Sequence, residues 1–130
     1  MSTAPLDVAI AVVVNGDRVL LAKRCAHRDH ANLWEFPGGK VEVDETPRDA
    51  VIRECAEEIA INIQNPLPWL SIPHHYPNRF VHLHVFYITQ FSGEAKGHEG
   101  QIIRWVPIEE LPSYDRLQAN DIIVTELCTR

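Results

Sequence analysis

The sequence predicts an α/β fold in which a mixed β-sheet is packed between helices. Three observations carry this. The run Asp7 to Val14 is nearly continuous and β-branched, as in a strand buried on both faces. A helix with a full start signal begins at Thr46. Strand and helix patterns interleave, yet hairpin signals are present too, which suits a mixed sheet better than a purely parallel one.

Taken in order, Asn15-Gly16 is a two-residue hairpin signal, and Arg18 to Arg24 returns as the partner strand. Cys25 to Asn32 is polar and reads as a loop. Leu33 to Phe36 is a short strand, and Pro37-Gly38-Gly39 forces a turn. Thr46 then serves as N-cap, Pro47 suits the first helical position, and Asp49 completes a capping-box-like start. At about 100° per residue, Val51, Ile52, Cys55, Ala56 and Ile59 share one broad arc. Glu54, Glu57 and Glu58 fall on the adjoining arc, at the edge of the buried face, where a cleft would lie. Pro66 to Pro73 supplies a further strand. From Arg79 to Phe91, Val81, Leu83, Val85 and Tyr87 alternate with His82, His84 and Phe86. Ser92 to Gly100 is a loop, Ile102 to Val106 a strand, and Leu117 to Leu127 a C-terminal helix.

The 130 residues are expected to form a single domain (1–130), with 45% apolar and 23% charged residues, as in an ordinary globular protein. The apolar run Val8 to Val14 is too short to cross a bilayer, and no signal peptide is expected ahead of it. Cys25, Cys55 and Cys128 are scattered and odd in number, which points to a reduced, cytoplasmic protein without a thiolate zinc site. A net charge of −6 argues against a surface for polymeric nucleic acid. A small anionic substrate remains compatible, held through bound cations.

The chemistry concentrates in Gly39-x5-Glu45-x7-Arg53-Glu54-x2-Glu57-Glu58. Glu54 and Glu58 are four apart with Glu57 beside them, so the three can reach one point. Like charges are held together at a cost unless a cation sits among them, and oxygen ligands suit hard cations such as Mg²⁺. Arg53 can orient a carboxylate by a bidentate bond, with Glu45 holding Arg53 in turn. Gly38-Gly39 lets the backbone pass close to the metals. An isolated acidic pair on a helix is usually just solvated. Here, at roughly 6% per residue type, six fixed positions coincide by chance about once in 10⁷ windows.

Gly39 to Ile61 resembles the Nudix box, G-x5-E-x7-R-E-U-x-E-E-x-G-U with U a bulky aliphatic. Gly39, Glu45, Arg53, Glu54, Glu57 and Glu58 all match. The segment Leu33 to Lys40, the loop Gly97 to Gln101 and Ala119-Asn120 extend the resemblance to MutT-type 8-oxo-dGTP diphosphatases over nearly the whole chain. Two positions depart. Cys55 replaces an aliphatic and is small enough to pack. Ala60 replaces the glycine that ends the helix in a left-handed conformation, at a cost on the order of 1 kcal/mol, so the helix is expected to end differently, around Asn62.

The resemblance implies a Nudix-like α/β/α sandwich and Mg²⁺- or Mn²⁺-dependent hydrolysis without a covalent intermediate. MutT-type members release nucleoside monophosphate and pyrophosphate, so sanitation of oxidised guanine nucleotides is the implied function. It implies Glu54, Glu58 and the Gly39 carbonyl as metal ligands, with Glu57 a ligand or an outer partner. Glu99 becomes metal ligand or general base in a loop free to close; its competing role is an ordinary surface loop residue. Glu45 and Arg53 complete the catalytic set. Arg24, Phe36, Arg79 and Asn120 stand at the nucleotide contacts, Asn120 offering both a donor and an acceptor to a purine edge. Their competing roles are a core position for Phe36, a solvated strand end for Arg79 and a helix N-cap for Asn120. The implied partner is a small nucleotide, with no polymeric nucleic acid or membrane, for a monomer or homodimer.

Rival readings keep the chemistry and change the nucleotide, or drop catalysis for a Nudix-fold binding module, whose sign would be lost box carboxylates. Pro77, sixteen residues after the box, marks some ADP-ribose hydrolases but occurs in MutT-like chains too, and decides nothing. His82-x-His84 projects two imidazoles from one strand face, with His74-His75 nearby. Spacing fixes no third ligand, so a polar lining of the cavity is the reading, ahead of a dedicated zinc site.

Overall fold

The computed structural model describes residues 5–24, 32–98 and 100–129. The elements in chain order are β1 (Leu6–Asn15), β2 (Arg18–Lys23), β3 (Trp34–Glu35), β4 (Gly38–Lys40), α1 (Pro47–Ile59), β5 (Asn62–Gln64), β6 (Leu67–Tyr76), β7 (Arg79–Ile88), β8 (Gln90–Ser92), β9 (Ile103–Pro107) and α2 (Asp121–Cys128), with 3₁₀ turns at Ile108–Ser113 and Gln118–Asn120. β1 runs parallel to β7 from Leu6↔Val81 to Val13↔Ile88. Its other edge is divided between two antiparallel partners, β4 against Val8 to Ile10 and β2 at Val14 and Asn15. β6 extends the sheet beyond β7, β3 and β9 pair with β2, and β5 and β8 form a separate ribbon. One parallel pair among antiparallel ones makes the sheet mixed, as expected.

Parity along β1 assigns the two faces. Ala9, Ala11 and Val13 turn to α1, where small side chains let Ala50, Val51, Cys55 and Ile59 approach closely. Ile10, Val12 and Val14 turn the other way, toward Ile123, Val124 and Leu127 of α2. The sheet is therefore sandwiched between helices. Among the described residues, no helix is long and apolar enough to cross a membrane.

Four local expectations are corrected. The hairpin loop is Gly16-Asp17 rather than Asn15-Gly16, because Asn15 pairs with Arg18 and only Gly16 takes a positive φ, 65°. That is the pattern of a primed turn with glycine first. Gly38 and Gly39, expected in a turn, pair with β1 as a strand. A Cβ at Gly38 would run into the Ala9 carbonyl, so only glycine allows this approach. The C-terminal helix begins at Asp121, after a 3₁₀ turn. The helix α1 does stop at Ala60, which takes the left-handed conformation itself at φ 63° and ψ 27°. Alanine there costs about 1–2 kcal/mol. The reversal buries Ile61 and Ile63, to 0% and 5% exposure, under the same core. Burying an isoleucine gains about 1.5–3 kcal/mol, so packing outweighs the strain.

Ala60→Gly is expected to raise stability. Relief of the left-handed strain exceeds the added chain entropy of glycine by about 0.5–1 kcal/mol. A thermal melt should show a midpoint higher by a few degrees; an unchanged or lower midpoint means that Ala60 carries no strain.

Candidate active site

The start of α1 is built as expected, with Asp49 N–H donating to Thr46 Oγ1 at 3.1 Å. This fixes the helix phase, and with it the direction of the box carboxylates. Glu54 and Glu58 line a cleft of about 410 Å³ between the helix edge and β4. Gly38 N–H donates to Glu58 Oε2 at 3.3 Å. At Gly39 a Cβ would overlap the Glu54 carboxylate, so glycine is what brings this backbone against it.

Arg53 organises the outer side. Its Nε donates to Glu45 Oε2 at 2.8 Å and its Nη2 to Glu45 Oε1 at 2.9 Å, a bidentate pair. Nη1 reaches Glu54 Oε1 at 2.9 Å and Glu57 Oε2 at 3.2 Å, and Nη2 also donates to the Lys40 carbonyl at 3.1 Å. The hydrogen bonds from Arg53 hold the Glu45 carboxyl well down, to about 2. Glu45 in turn raises Arg53 further above its ordinary value. Of the three carboxylates expected to converge, two turn into the cleft. Glu57 is drawn to Arg53, one helical turn back, and its side chain stays 60% exposed.

Behind this wall sits Cys55. Its thiol is pushed up to about 12, by burial first and then by the Glu58 and Glu54 charges. It stays protonated and is no thiolate ligand. The wall is thus acidic, made of hard oxygen donors and faced by a glycine backbone. That donor set fits divalent cations of the Mg²⁺ type.

The far end of the cleft has different chemistry. Arg24 Nη1 donates to Glu35 Oε2 at 2.8 Å, and both residues line the cavity. Phe36 is 4% exposed; it packs in the core, its competing role, and also lines the cleft. Asn120 is 4% exposed, and its Oδ1 accepts from Phe36 N–H at 3.4 Å. Although it stands at the N-terminus of α2, its side chain makes no capping bond. Val8 and Leu83, register partners on β1 and β7, form part of the floor, and Tyr76 lines the cleft from the β6–β7 hairpin.

Arg79, paired with Tyr76 at that hairpin, is exposed and is not among the lining residues. Glu99 lies outside the described residues, as does most of the predicted loop from Cys25 to Asn32. Beside Glu99, His98 N–H donates to the Glu58 carbonyl at 3.0 Å and Gln101 Nε2 to the same oxygen at 3.4 Å, so the loop docks on the C-terminal end of α1. The sequence reading missed Tyr76 and Glu35; an aromatic just before Pro77 was the available signal for Tyr76. It also misplaced the histidines. His82 and His84 share the parity of Phe86, which packs on the α1 side, and neither lines the cleft.

The NUDIX domain profile matches residues 5–128, nearly the whole described fold. The chain belongs to the NUDIX domain family. It is 38% identical to the CTP pyrophosphohydrolase of Escherichia coli K12 over 109 residues, 84% of this chain and 81% of that one. To the 8-oxo-dGTP diphosphatase of the same strain it is 32% identical over 123 residues, 94% and 95% of the two chains. A solved MutT structure, from work on Aliivibrio salmonicida and Vibrio cholerae, superposes with a TM-score of 0.87 at 29% identity, covering 97% of this chain and 98% of that one. This Nudix chain is accordingly a hydrolase of a family that uses divalent metal cations and acts on small nucleotide substrates.

The Glu45–Arg53 pair predicts an acid dependence. A carboxyl held at about 2 instead of 4.5 contributes stability above pH 4.5, which is lost as pH falls toward 2. The stability difference between the parent and Glu45→Gln, from urea unfolding at stepped pH, should shrink across that window. A difference that does not change with pH means that the pair contributes no proton-linked stability.

Proposed function

We propose that this Nudix chain hydrolyses nucleoside triphosphates to monophosphate and pyrophosphate, with oxidised guanine nucleotides such as 8-oxo-dGTP as its preferred substrates. One observation carries the reading: a single cleft joins a buried amide, Asn120, to an acidic wall, Glu54 and Glu58, with room for a nucleotide between them. Oxidation at C8 turns N7 of guanine from an acceptor into an N–H donor. The Asn120 Oδ1 keeps a second lone pair for that proton, while its NH₂ group can donate to O6. Phe36 and Tyr76 supply apolar and aromatic surface for the base. Arg24, steadied by Glu35, contributes positive charge and hydrogen-bond donors.

At the other end Glu54, Glu58 and the Gly39 carbonyl are proposed to hold Mg²⁺, with Mn²⁺ able to substitute. Such cations, when bound, neutralise phosphate charge and acidify a coordinated water. Arg53 and Glu45 keep Glu54 aimed at the cleft, and Glu57 is an outer partner or further ligand. Glu99 is proposed as ligand or general base, and Arg79 as a rim contact. A cytoplasmic location and an undivided domain accompany this reading. A second reading, pyrophosphohydrolysis of a cytidine nucleotide, is favoured by the 38% identity to the CTP enzyme.

With Mg²⁺, kcat/KM for 8-oxo-dGTP should exceed that for dGTP, CTP and dCTP. No advantage over dGTP rejects the oxidised-guanine reading, and an advantage for CTP or dCTP selects the second one. Glu58→Gln keeps an acceptor for the Gly38 N–H but loses the charge. Its activity should fall by more than about 100-fold, the range that outer-shell partners alone reach, while the thermal midpoint barely moves. Retained turnover would remove Glu58 from the metal site.

A further inference from the structure

The sheet face away from the cleft carries a second cluster of donor side chains. Parity sends His82 and His84 to the side on which Phe86 is buried under α1, but the two imidazoles lie where the face is only half covered. The parallel register Asp7↔His82 sets Asp7 alongside them. The two rings stack, with centroids 4.3 Å apart and planes at 22°. His84 Nε2 lies 2.9 Å from Asp7 Oδ1, and the Ser71 hydroxyl hydrogen-bonds His82 Nε2.

We propose that Asp7, His82 and His84 bind one borderline divalent transition cation, of the Zn²⁺, Co²⁺ or Ni²⁺ class, at a site separate from the box carboxylates. One donor atom from each of the three residues lies within 4.8 Å of the others. Ligand atoms around a tetrahedral zinc, at bonds of 2.0–2.1 Å, stand about 3.3 Å apart. The widest separation therefore needs to close by at most about 1.5 Å, within reach of half-exposed side chains. Two imidazoles and one carboxylate select this class of cation, whereas Mg²⁺ prefers all-oxygen ligands and keeps its waters. A hydroxyl both donates and accepts, so Ser71 can support the tautomer of His82 that a cation requires.

The placement has a consequence for the fold. Asp7 precedes Val8, and His82 and His84 flank Leu83. Val8 and Leu83 are register partners that floor the cleft on the opposite face. A cation held by the three ligands pins β1 to β7 beneath that floor.

The test uses the metal-stripped full chain with excess Mg²⁺ to occupy the carboxylate wall, titrated with Co²⁺ and then Zn²⁺. The parent should show the intense visible bands of nitrogen-ligated four- or five-coordinate cobalt, bleached by stoichiometric Zn²⁺, and a thermal midpoint raised by Zn²⁺. His82→Ala and His84→Gln should lose the bands and the midpoint shift. Asp7→Asn keeps a hydrogen-bond partner for His84 but no charge, and should weaken Co²⁺ by at least about tenfold. Mg²⁺-dependent turnover without added zinc should be unchanged in all three variants, which also reports that they fold. Identical cobalt spectra and stoichiometry in parent and variants, or only the weak bands of octahedral oxygen-ligated cobalt, would overturn the site and leave a hydrogen-bonded surface patch.

Discussion

Arg53 stands among acidic side chains that would otherwise repel one another, and its guanidinium meets Glu45 with two bonds and Glu54 and Glu57 with one each. A planar fork with five donors can do this; a lysine could not satisfy the same geometry. The contact decides which carboxylates face the cleft. Glu57 is taken up on the outer side, Glu54 is steadied at the edge, and Glu58 is left against the Gly38 N–H. The remaining negative charge is felt as far as Cys55, whose thiol it helps to keep protonated. A wall of this kind is stable beside cations and wasteful without them, which ties the shape of the cleft to its chemistry.

The sheet separates two sets of functional groups by the simplest rule of strand geometry. Successive residues of β1 and β7 point to opposite faces. Val8, Ile10 and Leu83 floor the cleft, while Asp7, His82 and His84 gather on the other side. Neighbours in sequence are thus kept apart in chemistry, and residues 77 positions apart, Asp7 and His84, come within hydrogen-bond distance. Glycine plays the complementary part at β4, where the missing Cβ lets a strand, rather than a turn, slide between β1 and the helix edge.

The sequence made much of this legible. The cap at Thr46 and the alternation of β7 are local patterns, and each is realised; of the carboxylate arc of α1, Glu54 and Glu58 face the cleft while Glu57 turns out to Arg53. Of the predicted nucleotide contacts, Arg24, Phe36 and Asn120 meet in one cleft, whereas Arg79 stands exposed at the hairpin and Tyr76 takes a place on the wall. The histidine pair was visible as a motif but not its side of the sheet, because parity gives alternation without saying which face holds the cleft. Ala60 was readable as a departure from pattern, yet its outcome depended on the burial of Ile61 and Ile63.

What the residues alone determined is whatever repeats or acts within a few positions: capping, helical phase, strand alternation and the charge spacing of the box. These follow from φ/ψ preferences and from the periods 3.6 and 2. The tertiary structure decided everything that needs a partner from far along the chain. It joined the Asn120 amide to the Phe36 backbone, the Gly38 N–H to Glu58, and Asp7 to two histidines. Such pairings depend on how β1, β4 and β7 come into register, and register is a property of the packed sheet, fixed by which faces it must bury.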